Sequence, residues 1–245
     1  MRATRLTFVG LALLAAVALG LATFALARPA SGGDAAQRAS YVAPSLFPSL
    51  SAPKRLTVAF IGDSYTAGAV VGEAQSWANV LGAANGWNVV NVARGGTGYV
   101  KGYSSGGQAA CGGEVCPNYL QVVPQAVAAA PDVVIVAGGR NDGTVLTPDL
   151  EQNIKAVYTT LRKSLPNAKL IGLSPILAAD DTPSSFPTVK PAVKQAVESV
   201  GGTHIDLGAP LGNHGELVGP DGVHPNVAGQ KVLAATVGRL LPHLG

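Results

Sequence analysis

Charge, aromatic rings and sulfur are all scarce in this chain, and each shortage removes a class of function. Charged residues make up 13% of the 245 positions and the formal net charge is only +3. No concentrated basic stripe interrupts the sequence, so the electrostatic footprint of a nucleic-acid binder is missing. Aromatic residues reach only 5%, which leaves no obvious platform for stacking sugars or bases, although Tyr65, Tyr99 and Tyr103 are candidates to line a pocket. Cysteine occurs twice, at Cys111 and Cys116, without a neighbouring histidine or a second pair, so the set of soft ligands that a structural metal needs is absent. No metal site is expected.

What remains is apolar and regularly patterned. At 47% hydrophobic the chain reads as globular and long enough for one domain with a substantial core. Arg2 and Arg5 precede an uncharged run from Leu6 to Ala27 that ends in Ala25-Leu26-Ala27, the order of a signal peptide with a small-residue cleavage site. The run is about 22 residues, also long enough to cross a bilayer of roughly 30 Å as a retained anchor with membrane association through residues 6–27. Both alternatives deliver the domain outside the cytoplasm. Loss of residues 1–27 removes two arginines and no acid, lowering the net charge from +3 to +1. Outside the cytoplasm disulfides persist, and Cys111 is expected to bond Cys116. So small a ring contributes only about 2 kcal/mol and shapes a loop rather than holding the domain.

Residues 28–54, rich in Ala, Ser, Pro and Gly, read as a tether, and the folded domain is expected over 55–245. Short β-branched runs at Leu56–Ile61, Trp87–Val92, Asp132–Ala137, Lys169–Leu173 and Thr203–Leu207 predict five strands. Several are apolar almost throughout, as strands buried on both faces are. Between them lie helical periods near Ala74–Asn85, Asn118–Ala130, Asp149–Leu165, Phe186–Val200 and Val227–Leu241. The clearest is the third, with Leu150, Ile154, Val157, Leu161 and Leu165 at steps of three and four between Pro148 and Pro166. The pattern predicts a three-layer α/β/α sandwich around a five-stranded parallel sheet. In such sheets ligands gather outside the carboxyl ends of the strands. The long connections Ala93–Pro117, Ser174–Phe186 and Gly208–Pro225 are therefore where chemistry is sought.

Directly after the first strand, Gly62-Asp63-Ser64-Tyr65 places a serine hydroxyl at the sheet edge beside a helix start, although an Asp/Ser pair there is also an ordinary helix cap. Near the other end, Asp221-Gly222-Val223-His224-Pro225-Asn226 sets a carboxylate three residues before an imidazole. A serine needs a base to take its proton, and that base needs an orienting partner. A plain capped loop with an exposed histidine would have the same sequence. The glycines of Asn91-Val92-Ala93-Arg94-Gly95-Gly96-Thr97-Gly98 leave backbone N–H groups open to a ligand, and in Gly138-Gly139-Arg140-Asn141-Asp142 the Asn141 amide is a further donor for a developing oxyanion. His204, within the fifth strand, reads as a core or sheet-edge residue, His214 as part of a turn, and His243 as terminal. Arg94 and Arg140 suit either a substrate anion or an ion pair with Asp142 or another acid.

In this order, each segment after its own strand, the four blocks resemble those of the SGNH/GDSL hydrolase family over roughly Leu56 to Leu241. The residues that carry the resemblance are Ser64, Gly96, Asn141 and His224, with Gly96 preferred to Gly95 because it lies five positions after Asn91. The resemblance implies a flavodoxin-like fold and a serine hydrolase needing no cofactor. It also implies Ser64, His224 and Asp221 as triad, and Ser64 N–H, Gly96 N–H and the Asn141 amide as oxyanion hole. Tyr65 stands where many relatives carry leucine, and the Gly96 block is unusually rich in glycine, departures that bear on substrate rather than on reaction type. The expected substrate is a small-molecule, lipid or envelope-glycan ester. An acyltransferase with a sugar hydroxyl in place of water uses the same residues, whereas a non-catalytic surface binding module would not need them together.

Overall fold

The computed structural model describes residues 54–143, 147–177 and 186–244. The expected export segment, almost all of the tether and residues 178–185 of the Ser174–Phe186 loop lie outside the described residues. Among the described residues no helix is long and apolar enough to cross a membrane.

Five strands, β1 (Thr57–Gly62), β2 (Asn88–Asn91), β3 (Val133–Ala137), β4 (Lys169–Leu173) and β5 (Thr203–Ile205), form one parallel sheet in the order β2-β1-β3-β4-β5. Alternation within β1 shows why the central runs are apolar almost throughout. Ala59 and Ile61 point to one core, together with Val134 and Val136 of β3, while Val58 and Phe60 point to the other, with Val133 and Ile135. Helices cover both faces. On the first lie α4 (Tyr119–Ala128), α5 (Thr147–Ser164) and α6 (Phe186–Ser199), through Tyr119, Ile154, Val157 and Val193. On the second lie α2 (Trp77–Asn85) and α7 (Val227–Leu240), through Trp77, Leu81, Leu233 and Val237. This is the α/β/α sandwich that the alternating pattern predicts. Two one-turn helices, α1 (Ser64–Ala67) and α3 (Gln108–Cys111), are too short to show a period.

Element ends differ from the periodic pattern where side chains or turns capture backbone donors. α2 begins at Trp77 rather than Ala74 because Ser76 Oγ accepts from Asn79 N–H as its cap; Glu73–Gln75 form a separate 3₁₀ turn. Trp87 is excluded from β2, since its N–H donates to the Gly82 carbonyl. β5 ends at Ile205, two residues early, because Ser174 Oγ takes the Leu207 N–H at 2.8 Å.

Candidate active site

β1 ends at Gly62 and delivers Asp63 and Ser64 to the carboxyl edge of the sheet. Asp63 caps α1, its carboxylate accepting from Tyr65 N–H at 3.0 Å, so the capping role read from the sequence exists and belongs to the residue beside the serine. Ser64 Oγ lies 2.8 Å from His224 Nε2, and His224 Nδ1 lies 2.6 Å from Asp221 Oδ2. The other oxygen of Asp221 accepts from the N–H groups of Val223 and His224, each at 3.0 Å, which folds the three-residue spacing into a turn and turns the carboxylate toward the ring. These bonds hold Asp221 well below the usual carboxylate range, at about 2, the side-chain bond from His224 contributing most. The carboxylate therefore remains ionised throughout ordinary pH.

The histidine loop is tied down by contacts that its own sequence does not announce. Tyr65 is fully buried, and its hydroxyl donates to the Val223 carbonyl at 2.6 Å. The ring rests against His224 with centroids 5.7 Å apart. Behind it, the buried Gln230 of α7 accepts from Trp77 N–H at 2.8 Å and donates to the Tyr65 carbonyl at 3.2 Å. Asn226 caps α7 and donates to the carbonyls of Glu216 and Val218. Tyr65 thus packs beneath the histidine loop and is not a pocket wall. Tyr99 is equally buried, which corrects its expected place in a pocket, while Tyr103 is half-buried.

Gly96 and Asn141 stand at the ends of β2 and β3, beside β1. Asn91 at the end of β2 donates to the Thr66 carbonyl of α1 at 2.9 Å and accepts from Ala93 N–H, so the glycine turn begins against the helix that carries Ser64. Gly96 has φ +68, and a Cβ there would press on Ala110 of α3, two reasons for glycine in this turn. Asn141 Nδ2 donates to the Thr97 carbonyl at 2.9 Å, and an amide nitrogen carries a second hydrogen for another acceptor. Cys111 and Cys116 are joined by a disulfide with a Cα–Cα distance of 6.0 Å. Ala110, the residue before the disulfide, lies against the Gly96 turn.

Two acids, one beside the serine and one against the turn, are buried. Asp63 is pushed up to about 7, chiefly by burial. Asp142 is also raised by burial, against the opposing pull of the backbone N–H groups it accepts from. The ion pair considered between Arg94 and Asp142 is not formed: Arg94 donates instead to the Ala93 carbonyl and to Gln125 Oε1. The other histidines stay apart from Ser64. His204 is half-buried on edge strand β5 and disfavoured as a cation by burial, His214 pairs with Glu216 at 2.9 Å, and the His243 carbonyl receives Lys169 Nζ. Among the described residues no group of His, Cys, Asp and Glu could hold a metal ion.

The arrangement has relatives. A GDSL lipase of Mycobacterium tuberculosis is 28% identical over 196 residues, covering 75% of this chain and 80% of that protein. The crystal structure of TesA superposes with a TM-score of 0.58 at 23% identity, covering 77% of this chain and 99% of that one. A family two carbohydrate esterase from Clostridium thermocellum, solved with cellohexaose, gives a TM-score of 0.56 at 17% identity over 78% of this chain and 65% of that one. The two structures share the fold. The model of the GDSL-like lipase/acylhydrolase family matches residues 60–232, a span that runs from β1 into α7 and includes Ser64, Gly96, Asn141, Asp221 and His224. The chain therefore belongs to the GDSL-like lipase/acylhydrolase family of ester-hydrolysing enzymes.

Proposed function

We propose that the protein is an exported serine esterase acting on O-acyl esters of lipids or envelope glycans through a Ser64–His224–Asp221 triad. The observation that carries this reading is the unbroken relay of 2.8 and 2.6 Å from Ser64 Oγ through both ring nitrogens of His224 to Asp221. His224 Nε2 takes the Ser64 proton as Oγ attacks the ester carbonyl, and Asp221, ionised, stabilises the imidazolium that forms. The tetrahedral oxyanion is received by the Ser64 and Gly96 N–H groups and the second hydrogen of Asn141 Nδ2. Collapse expels the alcohol, protonated by His224. Water, deprotonated by the same ring, then cleaves the acyl-enzyme and restores Ser64.

Export is supported by the apolar segment behind Arg2 and Arg5 and by the disulfide, which persists outside a reducing cytoplasm. Ester substrates of the lipid or glycan class are in keeping with relatives described as a lipase and a carbohydrate esterase.

Hydrolysis of p-nitrophenyl esters of graded chain length tests the mechanism in wild type, Ser64→Ala and His224→Ala. Each variant is expected to lose about 10⁴- to 10⁶-fold in kcat while the protein remains folded. Turnover that survives Ser64→Ala would overturn the serine mechanism.

A further inference from the structure

Asn141 and Asp142 occupy one 3₁₀ turn, Arg140–Asp142, at the carboxyl end of β3. Asn141 reaches outward to the Gly96 turn. Asp142 is fully buried, and burial of an acid requires that its oxygens find donors. They find three, all in the backbone of the same turn: Oδ2 accepts from Tyr99 N–H at 2.8 Å, and Oδ1 accepts from Val100 N–H at 3.0 Å and Lys101 N–H at 2.8 Å. The turn is closed on itself by Gly98 N–H to the Lys101 carbonyl at 2.9 Å, and the Gly98 carbonyl receives Tyr119 N–H at 2.9 Å. At Gly98 a Cβ would collide with the Asp142 carboxylate, so glycine is what permits the approach.

We infer that Asp142 is a positioning residue of the oxyanion site, its carboxylate holding the 97–101 turn so that Gly96 N–H stays in register with the Asn141 amide. The two donors arise on different strands, β2 and β3, which are not neighbours in the sheet. Something must fix their separation to the fraction of an ångström that oxyanion binding requires. Asn141 makes one link, to the Thr97 carbonyl, and Asp142 makes three more within the next four residues. Hydrogen bonds to a buried charge are stronger than neutral ones and costly to leave unmade. Asp142 touches no reacting atom in this scheme and acts only through the turn. The inference rests on the esterase reading given above.

The test compares wild type with Asp142→Asn, which keeps the shape but presents an amide in place of one acceptor oxygen, as full-length protein on a short-chain p-nitrophenyl ester. Reacting serines are counted by end-point labelling with a fluorophosphonate. Because removal of an oxyanion donor outright costs about 10²–10³ in kcat, its misplacement is expected to cost about 10- to 100-fold. KM should change by less than about threefold, because ground-state binding does not use the hole. Inhibition by an alkyl boronic acid, which presents a tetrahedral oxyanion, should weaken in proportion to kcat, while inhibition by the carboxylate product stays constant. Gly98→Ala drives a methyl group from the turn against the same carboxylate and retains every hydrogen-bonding group. It should give the same split and serves as the reporter if Asp142→Asn does not fold. A melting temperature that falls while kcat per labelled serine and boronate inhibition hold would reduce Asp142 to a structural acid and overturn the inference. A loss confined to KM would do the same. Wild-type turnover insensitive to Ser64→Ala would sink the esterase reading itself, whatever Asp142→Asn does.

Discussion

The two flanks of Ser64 are built in opposite ways. On one side, His224 and Asp221 sit on a solvent-facing loop, with side chains 23% and 38% exposed, and their bonds span three residues of sequence. On the other, the Gly96 turn and Asn141 are secured by a fully buried carboxylate and by hydrogen bonds that reach across more than forty residues. Groups that must exchange protons with substrate and water need access and rotational freedom. Groups that must wait, fixed, for a charge that exists only in the transition state need a dry and rigid support. On the proposed mechanism, the difference between flanks follows the difference between reacting and receiving.

Substitution on the exposed flank is expected to cost activity without stability. Asp221→Asn should lower kcat by about 10²- to 10⁴-fold, because the amide cannot stabilise the imidazolium and favours the wrong tautomer. A fall of similar size in thermal stability, read by melting curves, would mean that the two flanks are not separate devices. On the buried flank, Asn141→Ala should cost about 10²–10³ in kcat, and KM should barely move. A change in KM as large as that in kcat would take Asn141 out of the oxyanion hole.

A stability effect comes from the acid beside the nucleophile. Burial pushes Asp63 up to about 7 from an ordinary 3.8, so between those values the folded state holds its proton more tightly than the unfolded chain does. Stability from this group is therefore greatest at low pH and declines as pH rises through that window. Asp63→Asn keeps an acceptor for Tyr65 N–H and removes the ionisation. Its melting temperature should gain on wild type by more at pH 8 than at pH 5. A difference independent of pH would show that Asp63 does not titrate in this range. The smallest effect is expected at the disulfide: Cys111→Ser with Cys116→Ser should destabilise by about 2 kcal/mol. The accompanying change in kcat measures how firmly the loop bearing Ala110 supports the Gly96 turn.

The exposed flank was also the legible one. Asp221 and His224 stand within one turn of chain, and the bonds between them are local, so residue type and spacing point to the pair, though not to the Tyr65 contact that holds their loop. The central strands β1, β3 and β4 were equally plain, because burial on both faces leaves no polar alternation to confuse the pattern. Their ends were not. The early stop of β5 depends on Ser174 Oγ reaching Leu207 N–H, and the late start of α2 on Ser76 capping Asn79, competitions that apolar periodicity does not record. Tyr65 and Tyr99 are fully buried rather than pocket walls, because each hydroxyl finds a buried partner far along the chain, the Val223 carbonyl and Tyr158 Oη, that the sequence does not reveal.

By itself, then, the chain determined the layered sandwich, the order of its elements and the identity of the polar groups at the carboxyl edge, because periodicity and local turns are properties of neighbours in sequence. Tertiary structure alone decided that Gln230 braces Tyr65 from α7, that Tyr65 holds the histidine loop through Val223, and that Asp142 gathers three N–H groups from a turn that follows a different strand. Each is a buried polar group whose cost is offset only by a partner far away along the chain, and no periodicity in either segment specifies where that partner will be.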